Sequence, residues 1–205
     1  MQASRLWIIL AVLACSIGSP LTSWAKELKE YQEEAEKGLA ESQAALGILL
    51  ATGGQGATTD LTQAQQWLEK AAQQGHARAQ NALGDLLFSG KKDNKQPDTA
   101  KRDLFGSDSG ANASDVKALE WYRKAAEQGL AEAQANLGMM YYLGIGTAED
   151  EKEAFQWLKK AADQGLAEAQ RNLSILYAKG HGVALNKEES AKWLQQSNAN
   201  RNKKP

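Results

Sequence analysis

The sequence predicts an all-α protein, a right-handed solenoid of antiparallel helix pairs, and three observations carry the prediction. Helix formers dominate: Ala, Gln, Glu, Lys and Leu are heavily used, only 3 prolines occur, and Val and Thr are sparse. Tryptophan recurs with a fixed period, since Trp121, Trp157 and Trp193 stand 36 residues apart and Trp67 lies 54 before Trp121, which is 36 plus 18. Glycine keeps the same time. Gly38, Gly75, Gly129 and Gly165 are separated by 37, 54 and 36 residues, and Gly53, Gly90, Gly144 and Gly180 repeat those intervals. A repeat of this length marks one supersecondary unit that buries its apolar face by stacking on its neighbours.

The first 25 residues are a different kind of polymer. Arg5 is their only charged side chain, Leu6 to Ala14 is an unbroken apolar run, and Gly18 and Pro20 break any helix. Ser23-Trp24-Ala25 then offers small residues where a signal peptidase reads. Residues 1–25 are therefore expected to be a signal peptide, because the run is too short for the roughly 20 residues a bilayer span needs. Cys15 opens a second route, since Val12-Leu13-Ala14-Cys15 loosely resembles a lipobox and the Cys could carry a lipid anchor. Cleavage after Ala25 would leave a mature chain without cysteine, which fits a bacterial periplasm better than a disulfide-stapled secreted domain. The expected location is the periplasm, with lipid anchoring at Cys15 or secretion as alternatives. No transmembrane span is expected in the mature chain.

Each repeat reads as two helices. The first runs from about Ala131 to Leu143 and stops at Gly144; the second runs from about Glu149 to Gln164 and stops at Gly165. Glycine just past a helix supplies the left-handed conformation that closes it. Asp60 with Gln63, and Asn186 with Glu189, have the spacing of capping boxes at second-helix starts. Ala133, Leu137, Met140 and Tyr141 form one apolar stripe, and Phe155, Leu158 and Ala162 another. Gly47, Gly84 and Gly138 fall inside the first helices, where glycine costs about 1 kcal/mol relative to alanine. Close helix contact is the expected return, with Trp wedged over small residues of a neighbouring helix.

The pattern Ala-x-Ala-Gln-x-x-Leu-Gly-x-x-Tyr-x-x-Gly-x-Gly, followed by Ala-x-x-Trp-x-x-Lys-Ala-Ala-x-x-Gly, resembles the Sel-1-like repeat, a relative of the tetratricopeptide repeat with a slightly longer unit. The resemblance covers roughly residues 27–198 and is strongest over 131–165; Ser174 departs from the glycine of its column. It divides 26–199 into a lone capping helix at 27–38 and four units at 39–75, 76–129, 130–165 and 166–199. Residues 200–205 form a polar tail. The resemblance implies a protein-binding module that assembles envelope complexes or captures an exported protein.

The second unit carries an inserted loop, 91–113. It is polar, with five basic residues and four Asp, and Leu104 and Phe105 are its apolar anchor. A solvated surface loop and a partner-contacting loop both fit.

Catalytic and cofactor chemistry find little support. The two histidines, His76 and His181, lie about a hundred residues apart without nearby Cys, so no metal site is expected. His76 occupies the column of Leu39, Leu130 and Leu166, as expected of a junction residue. Ser-x-x-Lys, the nucleophile motif of penicillin-recognising enzymes, occurs at Ser89 and Ser114 without its companion motifs, and Ser114 is explained as a helix N-cap. A weak β-lactam-binding hydrolase is the alternative this leaves. Basic and acidic residues number 24 and 25, which gives no basic stripe for nucleic acid. No cofactor is expected.

Binding is expected on the face of the first helices that points away from the core. The columns through Glu132, Ala135, Met139 and Tyr142 define it and vary between units. Arg78, Asn81, Asp85, Phe88, Glu132, Met139, Tyr142, Arg171 and Ile175 are the candidate partner contacts, with Leu104 and Phe105 on the loop. These residues are equally compatible with junction packing. The expected function is a monomeric, non-catalytic interaction protein, in sharper form an immunity or inhibitor protein that neutralises a secreted effector enzyme. An envelope scaffold and a host-directed virulence factor are alternatives.

Overall fold

A computed structural model describes residues 29, 31–53, 59–89 and 113–202, and these are helical with short connections. Residues 31–36 form a short helix, α1. Four pairs follow: α2 (Ala40–Thr52) with α3 (Leu61–Gln73), α4 (Ala77–Ser89) with α5 (Ala113–Glu127), α6 (Ala131–Leu143) with α7 (Glu151–Asp163), and α8 (Ala167–Lys179) with α9 (Lys187–Arg201). Each first helix packs most extensively on the second helix of its own pair, and each second helix packs next on the first helix of the following pair. That succession makes the chain a helical solenoid. The candidate signal peptide with Cys15, and the inserted loop with Leu104 and Phe105, lie outside the described residues.

The first helix of the third unit has the bounds its sequence implies, because Gly144 closes it in the left-handed conformation and donates its N–H to the Met140 carbonyl. The second helix begins at Glu151, two residues later than expected. Asp150 accepts the backbone N–H groups of Lys152 and Glu153 and so stands just outside the helix as its cap. Asn186 caps α9 in the same way through Glu188 and Glu189. Asp60 accepts the Gln63 N–H, but the Gln63 amide bonds the Asp60 carboxylate itself, so the box closes between side chains. Ser114, expected as a cap, lies inside the first turn of α5, which begins one residue earlier at Ala113.

The core is thin and made of small residues. The leucine column of the first helices, Leu46, Leu83, Leu137 and Leu173, is almost fully buried among alanines of adjoining helices, and Leu176 joins it in α8. Glycine lets the paired helices approach. A Cβ on Gly138 would stand 2.8 Å from Leu158 Cγ and 3.1 Å from the Leu158 backbone nitrogen, and Gly47 meets Leu68 in the same way. The tryptophans reach backwards: Trp121 packs on the core between the first two pairs, and Trp157 and Trp193 pack one junction further along each. Lys70, Lys124 and Lys160 lie over the rings of Trp67, Trp121 and Trp157 at 4.0, 4.1 and 3.8 Å.

A buried glutamine stitches each junction. Gln43, Gln80, Gln134 and Gln170 donate to the carbonyls of Ala35, Ala72, Ala126 and Ala162 in the preceding helix. Each also accepts a bond from the end of its own unit's second helix, from Gln74, Gln128, Gln164 and Asn200. Every one of these glutamines therefore touches both flanking helices with one amide. Ala35 of α1 supplies the first carbonyl, so α1 takes the place of a preceding second helix.

Two outcomes follow for stability in urea. Gln134→Ala should destabilise the fold by about 1–3 kcal/mol, the range for orphaning buried polar groups, and Gln164→Ala at the exposed end of the same pair should cost less. Gly138→Ala should also destabilise, by about 1–3 kcal/mol of overpacking, although alanine is the better helix former.

Candidate functional site

The outward face of the first helices separates into three kinds of position. Arg78 and Glu132 are exposed near the helix starts. Met139 and Tyr142 are partly buried against the core of the next junction, where Ala135 is fully covered. Met139 Sδ accepts a 3.4 Å contact from Asn172, and Tyr142 meets His181 edge-on at 5.6 Å between ring centres. Burial raises the Tyr142 phenol above its ordinary range, with Glu151 and Glu149 adding to it. Arg171 and Ile175 occupy the same columns one unit on and are exposed, Ile175 at 39 %. No further pair packs on α8 and α9 among the described residues.

The structure brings Asn81 and Asp85 together with two residues that the sequence reading did not single out, Tyr122 and Asn136. Asp85 is exposed as a residue, yet its carboxylate is held from three helices. Tyr122 of α5 donates to Oδ1 at 2.8 Å, Asn136 of α6 donates to the same oxygen at 3.3 Å, and Asn81 of α4 donates to Oδ2 at 3.1 Å. Asn136 also donates to the side-chain amide oxygen Oδ1 of Asn81 at 3.1 Å. Burial raises the Asp85 carboxyl above its ordinary value, and the Tyr122 hydrogen bond partly offsets it. Tyr122 itself is driven far above the phenol range by burial first, then by the Asp85 charge and hydrogen bond. Phe88, one turn beyond Asp85, is 38 % exposed.

Tyr122 stands where the other second helices carry Leu68, Leu158 and Leu194. Its ring passes beside Gly84, where an added Cβ would meet Cε1 at 2.6 Å. A polar-tipped residue in a leucine column, facing a carboxylate in a column otherwise held by Ile48, Met139 and Ile175, is the signal that was there to be read.

The histidines have structural roles. His76 Nδ1 accepts the Ala79 N–H at 3.2 Å, and its Nε2 meets Glu41 at 2.8 Å, so it caps α4 and ties it to α2. His181 pairs with Glu151, whose other oxygen accepts the Gly182 N–H at 3.1 Å. Gly182 has φ +67° and lies against the Glu151 backbone, a place closed to any side chain. No group of three or more metal-ligating side chains occurs among the described residues, and no helix there is long and apolar enough to cross a membrane.

These features define a repeat protein whose stacked helices present a patterned face. The Sel1 repeat family matches residues 40–76, 77–101, 104–130, 131–166 and 167–201, and the chain belongs to that family. Its repeats mediate protein–protein interaction. The second and third matched segments contain α4 and α5, so the unit with the insertion is matched in two pieces. Among solved structures, the chain is 33 % identical to c5321, a protective antigen present in uropathogenic Escherichia coli strains, with a TM-score of 0.74 over 97 % of this chain and 39 % of that one. It is 31 % identical to a Sel1 repeat protein from Oxalobacter formigenes, with a TM-score of 0.69 over 85 % of this chain and 62 % of that one. The chain thus spans less than two thirds of either relative. The immunity protein Pa5087 from Pseudomonas aeruginosa shares the fold at 19 % identity, with a TM-score of 0.59 over 98 % of this chain and 67 % of that one. Comparison with curated proteins gave no match.

The raised Asp85 carboxyl has a definite sign in stability. The folded chain holds that proton more readily than the unfolded chain, so this contribution is full at low pH and is lost as pH rises through the folded-state value. Asp85→Asn cannot ionise. Its stability relative to the parent chain should be more favourable at about pH 7 than at about pH 3.5, by urea titration at both. An equal offset at the two pH values would show a carboxyl unperturbed by folding.

Proposed function

We propose that the chain is an exported immunity or inhibitor protein, which holds a secreted effector enzyme on the outward face of its first helices. The observation that carries this reading is a contrast within the repeat. The column of Gln43, Gln80, Gln134 and Gln170 and the column of Leu46, Leu83, Leu137 and Leu173 never vary, while Glu41, Arg78, Glu132 and Glu168, or Ile48, Asp85, Met139 and Ile175, vary in charge or polarity. A uniform scaffold bearing a non-uniform face is what recognition of one particular partner requires. The apolar run 6–14 and the small residues before Lys26 support export to the periplasm, with anchoring at Cys15 as the variant route. The fold shared with Pa5087 supports the immunity reading, since that scaffold serves as an immunity protein there. The inserted loop, through Leu104 and Phe105, is proposed as a second contact. Likeness to the protective antigen c5321 favours one other reading, display toward a host protein.

Affinity capture from envelope and secreted fractions tests the proposal, with the tagged chain and a form lacking residues 91–108 as baits. One stoichiometric partner, an enzyme whose activity falls when the chain is added, is the expected result. Arg78→Ala combined with Glu132→Ala should weaken that complex about tenfold or more, as truncation of interface contacts does, with folding unchanged. A captured partner whose activity is untouched would remove the inhibitor reading and leave a scaffold.

A further inference from the structure

Met139 and Met140 are neighbours in α6 with different surroundings. Met140 belongs to the core between α5 and α6 and is 4 % exposed. Met139 is only partly buried, packed at the edge of the core that α7 and α8 share. Its Sδ accepts a 3.4 Å contact from the side-chain amide Nδ2 of Asn172 in α8. The same contact exists one repeat earlier with a different acceptor. Asn136 stands 36 residues before Asn172, and it donates to Oδ1 of Asp85, which stands 54 residues before Met139 in the same column. An asparagine at this place therefore receives an oxygen at one junction and a sulfur at the next. A thioether is a weak acceptor, so the Asn172 amide is a better donor than its present partner needs.

We propose that Met139 is a site of reversible oxidation to the sulfoxide, with Asn172 as the residue that receives the new oxygen. Hydrogen peroxide is the co-reactant. A sulfur lone pair attacks one peroxide oxygen, and the S–O bond forms as the O–O bond breaks. The transferred oxygen gives its proton to the departing one, which leaves as water. Sulfur loses two electrons and the peroxide gains them. Rotation about the Cγ–Sδ bond, easy in an unbranched side chain, then brings the sulfoxide oxygen to Asn172 Nδ2. Oxidation within a core disrupts it, because the new oxygen is polar. At Met139 a donor is already in place, whereas at Met140 the oxygen would enter the packed layer of Leu119 and Leu137. Oxidation thus exchanges an apolar side chain on the outward face for a polar one, and a sulfoxide reductase restores it. The site stands on the geometry of α6 and α8 and does not rest on the proposed function.

The test follows the methionine methyl groups of the purified chain by carbon-13 NMR during treatment with hydrogen peroxide, since thioether and sulfoxide methyls resonate apart. Met139→Leu and Met140→Leu assign the two signals. Met139 should oxidise about tenfold faster than Met140, because exposure governs susceptibility. In the oxidised chain the Asn172 side-chain amide resonances should shift. The urea midpoint should fall by less on oxidation of the parent chain than on oxidation of Asn172→Ala. A sulfoxide reductase should return the methyl and amide signals to their starting positions. Equal rates at the two methionines, an Asn172 amide that does not move, an equal loss of stability with and without Asn172, or signals that the reductase leaves unchanged would each overturn the proposal. If Asn172→Ala does not fold, the amide shift in the parent chain decides.

Discussion

The buried glutamine of each first helix is the constraint on which the stack depends. Alanine and glycine surfaces are nearly featureless, and van der Waals contact between them favours close approach without fixing how far one helix slides along another. A directional bond does fix it. Gln134 donates to the Ala126 carbonyl and accepts from Gln164, so one amide sets α6 against both α5 and α7. Displacing any of the three along its axis would strand polar atoms in a layer where water does not reach, at about 1–3 kcal/mol for each. The same arrangement recurs from α1 to α9. The thin core supplies the driving force for stacking, and the amides supply its register.

Within that frame, function has little room in the core and must sit on positions the stack leaves open. Hydrogen bonds and close packing consume the glutamine, leucine and glycine columns. The remaining columns of the first helices are divided again by the next repeat, which takes Ala135 wholly and Met139 and Tyr142 in part. At the interior junction of α4, α5 and α6 lies the polar set around Asp85. It is built from a tyrosine in a leucine column and an aspartate in the opposing, otherwise apolar column.

Much of the fold was legible because its signals are local and repeated. Trp and Gly periods gave the pairs, Gly144 ended α6 at the expected residue, and Asn186 capped α9 as its spacing implied. The two-residue delay of α7 came from Asp150, whose side chain caps α7 and so holds that residue outside the helix. The outward face was harder to read. A helical wheel places Met139 with Glu132 on one side of α6, but which part of that side the next helix covers depends on inter-repeat geometry that one unit's sequence does not contain. The glutamines were visible as letters in every unit, yet their task is a bond between helices, and only coordinates pair Gln134 with Gln164. Asp85 and Asn81 were singled out from one helix alone; Tyr122 and Asn136 come from two others.

A chain held together by bonds between neighbours also has a particular mechanical character. Each glutamine reaches only the helices on either side, and no described hydrogen bond joins one end of the stack to the other. Tension applied at the ends would load the junctions in series, so the weakest would open while the rest kept their form. Each released unit of 36 residues would lengthen the tether by roughly 120 Å of extended chain. Such a molecule yields in discrete steps, the longest from the second unit with its insertion, and if its two ends were held apart it would act as an extensible link.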